Sequence, residues 1–196
     1  QGVSSAASDV YKRQALDSAV QQGKALYVGI SSYSSDLTKQ AVNTCKENNL
    51  APLAIHQPNY SMLNRWVENG LLDTCGEYGL GIIAFCPLFQ GFLTDKYLNG
   101  IPDGSRASLE NSPLRKNEVN EQNIKVIQEL NEHAGQRGQT LAQMALSWVL
   151  RDKRVTSALI GASSSDQILE NVKAAKQTDF SADELKILDR ILAKVN

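Results

Sequence analysis

The sequence predicts an α/β fold built on a parallel sheet. Short apolar, β-branched runs alternate with amphipathic helical stretches. The strands are apolar on both faces, as in a sheet covered by helices on each side. The runs end in polar or aromatic residues: Ser31-Ser32, Gln57, Phe85-Cys86-Pro87 and Ser163.

The elements follow in order. "ALDSAVQQGK" reads as the second half of a helix, with Leu16, Ala19 and Val20 as its stripe and Gly23 as its C-terminal cap. "ALYVGISSY" is a first strand. "SSDLTKQAVNTCKENN" is a helix capped by Ser34 or Ser35, with Leu37, Ala41, Val42 and Cys45 at helical spacing. "APLAIHQ" is a second strand. "NRWVENGLLDTCGEYG" is helical with a break at Gly70, and "LGIIAFC" is a third strand. A long polar loop, roughly Pro87 to Lys116, follows; loops of that length are usually functional or disordered. Two helices, about Glu118 to Gln136 and Thr140 to Arg151, lead to a fourth strand, "TSALIGA". A Ser-rich helix start comes next. "SADELKILDRILAKV" closes the chain, with Ser181 and Glu184 as a capping box.

The bulk numbers exclude several classes. The chain has 196 residues, 42% of them apolar, enough for one domain with a real core. Lys plus Arg is 20 against 21 acids, so no basic field invites nucleic acid. No apolar run approaches the roughly 20 residues of a bilayer span. Cys45, Cys75 and Cys86 are too few and too scattered for a disulfide framework or a zinc site, and read as free thiols of the reducing cytoplasm. Residues 1–14, "QGVSSAASDVYKRQ", lack an initiator Met, a signal-peptide layout and a clear period. They look like a translated adapter or cloning scar, a non-native or disordered tail. A chain that then enters in mid-helix reads as a fragment.

Two architectures compete. A doubly wound sheet with a dinucleotide site needs a Gly-rich turn between its first strand and helix. The nearest candidate, Gly79-Leu80-Gly81, precedes a strand instead. In a (β/α)8 barrel, function gathers on the loops after the strands, where the polar groups of this chain lie. The barrel is favoured, and four strands are half of one.

One stretch is more specific. In "GASSSDQILEN", Gln167, Glu170 and Asn171 sit at i, i+3 and i+4, so they share a helix face. Capping, Ser163 with Asp166 or Ser164 with Gln167, explains the serines but not this polar stripe.

These strand ends resemble the aldo-keto reductases. The likeness covers about Ala15 to Asn196 and runs through "GKALYVGISSYS", "AIHQPNYSMLNR", "AFCPLFQGFLTDKYLNG", "IPDGSR" and "LIGASSSDQILENV". Within the family, "LNRWVENGLLDTC" is most like a bacterial group acting on glyceraldehyde 3-phosphate. The resemblance implies that residues 15–196 form the C-terminal half of a (β/α)8 TIM barrel, four parallel strands with helices plus a C-terminal helix. It implies NADPH across the barrel mouth and reduction of small aldehydes or ketones by the intact parent.

The resemblance also assigns roles. Ser31 and Gln57 would hydrogen-bond the nicotinamide carboxamide; read alone, they serve equally well as a helix cap and an interior amide. Phe85 would stack under the nicotinamide, a contact worth roughly 0.5–1.5 kcal/mol beyond burial, although alone it reads as core. Pro87, Leu88 and Gly91 would shape the loop over the pyrophosphate. Phe89 and Asp95 depart there from the small residues of relatives. Lys96 and Arg106 would meet the adenosine phosphates, the Arg fork suiting a 2′-phosphate. Gly161 would admit a phosphate close to the backbone, with Ser163 donating to it near a helix N-terminus. Gln167, Glu170 and Asn171 would line the adenosine.

The family's catalytic Tyr, Lys, Asp and His fall upstream of Ala15, so no catalytic residue is assigned, and the fragment alone is expected to be inactive. The expected partner is a small carbonyl substrate, without metal, nucleic acid or membrane, and homo-oligomerisation stays open. Two alternatives remain: a non-catalytic NADPH-binding subunit of the same fold, and an unrelated α/β small-ligand-binding module.

Overall fold

The computed structural model describes residues 6–109, 114 and 118–195, with side chains from Asp9 onward. It holds a four-stranded sheet in the order β1 (Val28–Ser31), β2 (Leu53–Gln57), β3 (Gly81–Phe85), β4 (Val155–Leu159). The β1–β2 and β2–β3 pairings are parallel. Parallel neighbours cannot be joined by a hairpin, so each connection leaves the sheet and returns through helical structure. The fold is therefore α/β, as the alternation predicts.

The chain divides into two compact units. The first runs to Asn59 and takes in Trp66–Ile83 and Arg154–Ser157. It contains α1 (Ala6–Gln21), α2 (Ser35–Glu47) and α3 (Leu71–Tyr78). Gly23 ends α1 at φ 68, with Gly23 N–H on the Val20 carbonyl and Lys24 N–H on that of Ala19, a left-handed cap. The helix includes residues 6–14, which the sequence sets apart as a tail; residues 1–5 lie outside the described residues. Buried Arg13 donates to the Tyr33 hydroxyl at 2.8 Å and sits over its ring. Ser34 caps α2 by accepting from Leu37 N–H. Gly70, at φ 89, breaks the third helical stretch where the sequence places the interruption: a short turn over Trp66–Glu68 precedes it and α3 follows. Ile30, Val42, Leu53, Leu72, Ile82 and Val155 are among the buried apolar residues of this unit.

The second unit comprises Tyr60–Arg65, Ala84–Lys153 and Ala158–Asn196. It contains α4 (Glu121–Gln136), α5 (Leu141–Leu150), α6 (Ser165–Val172) and α7 (Ala182–Leu192). Asn120, Thr140, Ser164 and Ser181 cap these helices, and Thr140 and Ser181 form full capping boxes with Gln143 and Glu184. Trp148 is fully buried, with Arg151 at 3.6 Å from its ring and Tyr60 packed at 5.5 Å. Arg137 ties α4 to α7: it pairs with Glu184, donates to the Asp179 carbonyl and lies over Phe180. That partner and the Ser181 cap hold the Glu184 carboxyl below its usual range, the Ser181 backbone bond acting most strongly.

The long segment after β3 differs from the polar loop expected. It is three short 3-10 turns, Phe89–Gly91, Asp95–Tyr97 and Arg106–Ser108. Phe92, Leu93, Tyr97, Ala107 and Leu114 are buried. Residues 110–113 and 115–117 lie outside the described residues.

Two features of the first unit can be tested by unfolding. A Cβ on Gly29 would stand 2.5 Å from the Ile55 carbonyl oxygen, and backbone on a paired strand cannot retreat. Gly29→Ala is expected to cost about 1–3 kcal/mol, read as a lowered urea midpoint of the full-length protein. His56 is fully buried, with Nε2 3.2 Å from both the N and the O of Tyr33 and Nδ1 without a partner. Burial pushes its pKa down to about 4, against the pull of the Tyr33 backbone bond. The unfolded ring takes up its proton near pH 6.5, so its stabilising contribution is complete above that value and is lost as pH falls through about 4. The shift corresponds to on the order of 3 kcal/mol. His56→Gln should flatten the dependence of unfolding free energy on pH across that window.

Candidate functional site

Each strand carries its predicted residue at its end. Ser31 closes β1, Gln57 closes β2 and Phe85 closes β3; Gly161 and Ser163 follow β4. In a parallel sheet the loops after the strands are where ligands bind.

In the first unit the structure brings Ser31 and Gln57 together. They are register partners, and the Ser31 hydroxyl donates to the Gln57 carbonyl at 2.8 Å. Ser32 N–H donates to the same carbonyl at 3.2 Å, with Ser32 at φ 57. The Gln57 side-chain amide takes no partner among the described residues, so a half-buried donor and acceptor remain for a ligand. A hollow of about 370 Å³ lies here, lined by Tyr27 to Ser31 with Ile55 and Gln57.

In the second unit Phe85, Pro87, Leu88 and Gly91 lie on one tightly turned segment. Phe85 is half-buried and its carbonyl accepts from Tyr60 N–H. Cys86, Phe89, Gln90 and Gly91 all have positive φ, between 45° and 92°. Turn bonds hold them: Phe89 N–H on Cys86 O, Gly91 N–H on Leu88 O, and the Thr94 hydroxyl on Gly91 O at 2.7 Å. Arg106 reaches this segment through Gln90. Its Nη1 donates to Gln90 Oε1 at 2.8 Å, and Gln90 Nε2 donates to Cys86 Sγ at 3.1 Å. Burial pushes the Cys86 thiol up, while the Arg106 charge pulls it back. Lys96 and Arg106 are both exposed.

The segment after β4 uses part of its polar stripe on itself. Ser164 caps α6 by accepting from Gln167 N–H. The Gln167 side-chain oxygen turns one residue further back than a capping box would, to Ser163 N–H at 2.9 Å and Oγ at 3.2 Å. Glu170 is held by Lys173 and by Gln143, whose Nε2 is 3.1 Å from Oε2. The Asn171 amide has no side-chain partner among the described residues. A Cβ on Gly161 would meet no protein atom within 4 Å, so the space beside its backbone is open. Within the second unit, the open space at Gly161 and the unpaired Asn171 amide lie on the segment that follows β4.

Sequence reasoning missed Gln90 and Gln143. Nothing in the linear pattern marks a residue whose role is to reach another loop. A hollow of the second unit, about 490 Å³, is lined by Gly138, Gln139, Gln143, Lys173, Lys176 and Gln177, none of them predicted. Its amides donate to a hydroxyl and to the backbone: Gln139 Nε2 to the Ser147 hydroxyl, Gln143 Nε2 to Glu170 O and Gln177 Nε2 to Arg137 O. Among the described residues no group of His, Cys, Asp and Glu could hold a metal ion, and no helix is long and apolar enough to cross a membrane.

Comparison with known proteins places the chain. It is 54% identical over 183 residues to L-glyceraldehyde 3-phosphate reductase of Escherichia coli K12, covering 91% of this chain and 53% of that protein. The protein of the same name from Escherichia coli O157:H7 is 53% identical with the same coverage. A putative voltage-gated potassium channel subunit beta of Schizosaccharomyces pombe is 35% identical over 184 residues, 91% of this chain and 54% of that protein. The chain thus spans about half the length of the curated relatives it matches. A model of the aldo/keto reductase family matches residues 8–193, nearly the whole chain, and the chain belongs to that family.

Proposed function

We propose that the full-length protein is an NADPH-dependent reductase of small aldehydes and ketones, glyceraldehyde 3-phosphate or a close analogue among them. In this reading the present chain is the C-terminal half of a (β/α)8 barrel and supplies most of the cofactor grip. The observation that carries it is the polar or aromatic residue that ends each of β1, β2 and β3, in a chain over half identical to two reductases of that name.

Each residue then has a task. Gln57, with its free amide, meets the carboxamide beside Ser31, and so fixes which face of the nicotinamide turns to the substrate. Phe85 offers a flat apolar surface under the ring. Pro87, Leu88 and Gly91 shape the loop over the pyrophosphate. Gly161 and Ser163 take a phosphate where the backbone is open. Asn171, with Gln167 and Glu170 beside it, lines the adenosine. Lys96 and Arg106 meet the charged end. When bound, NADPH supplies the hydride that reduces a carbonyl carbon. The proton donor is assigned to the part of the relatives' length that this chain does not span. Three free cysteines fit a reducing compartment, and we assign the reaction to the cytoplasm.

Similarity to a channel β-subunit raises the second reading, a binding subunit without turnover. The lower identity, 35% against 54%, favours the reductase.

Titration of the full-length protein with NADPH and NADH should show tighter binding of NADPH. Arg106→Ala should weaken NADPH about tenfold to hundredfold, the worth of charge-assisted hydrogen bonds to one phosphate, and leave NADH nearly unchanged. Loss of reduced-nicotinamide absorbance with L-glyceraldehyde 3-phosphate tests turnover. Binding without turnover on that or any simple aldehyde favours the subunit reading. No binding of either nucleotide sinks both.

A further inference from the structure

Gln90 belongs to no role that the family resemblance assigns, yet it joins two separate parts of the long segment. Its amide bridges Arg106 Nη1 at 2.8 Å and Cys86 Sγ at 3.1 Å. Its backbone is left-handed, φ 58 and ψ 21, next to Gly91 at φ 92. Glycine occupies that conformation at no steric cost, and glutamine does not. A residue kept in a disfavoured conformation is a reason to ask what its side chain does.

Arg106 is exposed, and a long exposed guanidinium has many rotamers to lose before it can grip an anion. Gln90 removes part of that cost through one N–H and leaves the other four donors for a ligand. An amide does this without neutralising the charge, as a carboxylate would. The Cys86 sulfur accepts the other end of the amide, so the Gln90 oxygen faces Arg106.

We propose that Gln90 is a positioning residue that presents Arg106 to the 2′-phosphate, and so sets part of the preference for NADPH over NADH. This rests on the role given to Arg106 above. The relay is local to the segment from Cys86 to Arg106, and its effect belongs to the phosphorylated nucleotide alone.

The test compares Gln90→Gly, Gln90→Glu, Arg106→Ala and the Gln90→Gly/Arg106→Ala double variant in the full-length protein. NADPH and NADH affinities are read by titration and Tm by thermal unfolding. Gln90→Gly relieves the positive φ, so its Tm should hold or rise. Its NADPH affinity should fall about threefold to tenfold, the fold-change of one ordinary hydrogen bond, with NADH within about twofold. A merely structural residue would not separate stability from selectivity in this way. Gln90→Glu should weaken NADPH further, because the carboxylate pairs with Arg106 and repels the phosphate. The double variant should lose no more than Arg106→Ala alone. If both Gln90 variants bind like wild type while Arg106→Ala loses its preference, the proposal is overturned and the role of Arg106 stands. Equal losses for both nucleotides also overturn it. If Arg106→Ala itself keeps the preference, both fall.

Discussion

Two strands of this chain end in the same way, and the candidate site depends on it. After Ser31 the backbone turns left-handed at Ser32, and after Phe85 it does so at Cys86. Neither is glycine, so each turn costs on the order of 1 kcal/mol or more. Backbone bonds at each turn offset the cost. Ser32 N–H meets the Gln57 carbonyl, and the Cys86 carbonyl accepts from Phe89 N–H. A strand that stops abruptly leaves its last side chain at a fixed height on the sheet edge. That precision is what a ring or a carboxamide needs from its support.

Much of this fold can be read from the sequence because its signals are local. Ser34, Gly70 and the Ser181–Glu184 box act within a few residues of themselves, and the structure uses each as a terminus. The segment after β3 is less legible. Its turns are three residues long, too short for a helical period, so Phe92, Leu93 and Tyr97 look scattered although all are buried. Their partners lie on the same segment but at no helical or strand spacing: Phe92 and Tyr97 meet ring to ring at 5.8 Å, and the Tyr97 hydroxyl accepts from Ala107 N–H. The site divides along the same line. Ser31 and Gln57 are visible as strand ends, but their mutual bond follows from register, which shifts between Val28 and Gly29. Left-handed Cys86 and Gln90 carry no glycine to announce them.

α6 poses a problem of its own. Its N-cap is satisfied and Gln167 and Glu170 of its polar stripe are engaged, yet Ile168, Leu169 and Val172 are 49%, 66% and 59% exposed. A helix with such a stripe ordinarily buries it. The contrast with α7 is direct: there Leu188 and Ile191 are buried. On α6 the apolar side chains stay exposed among the described residues. Leu26 and Tyr27, just before β1, are likewise 84% and 77% exposed.

The shifted ionisable groups fit a chain whose proposed task is to hold and orient. A general acid or base works best with a pKa near the operating pH, placed against the reacting group. His56 is held neutral down to about 4 and spends its ring on the Tyr33 backbone. Burial raises Cys45 and Cys86 and carries Cys75 to about 11, so their thiols stay protonated at neutral pH. Glu184 is lowered and committed to a helix cap. Each of these shifts serves packing or capping. The groups proposed to meet a ligand are of another kind: two unpaired amides, an aromatic face, open backbone at a glycine and an exposed guanidinium. Such groups exchange no protons of their own near neutrality, so any pH dependence of the affinity they confer has to come from the ligand, whose phosphate monoester titrates at about pH 6. In the proposed reductase, the pH dependence of turnover then has to come from the proton donor and the substrate.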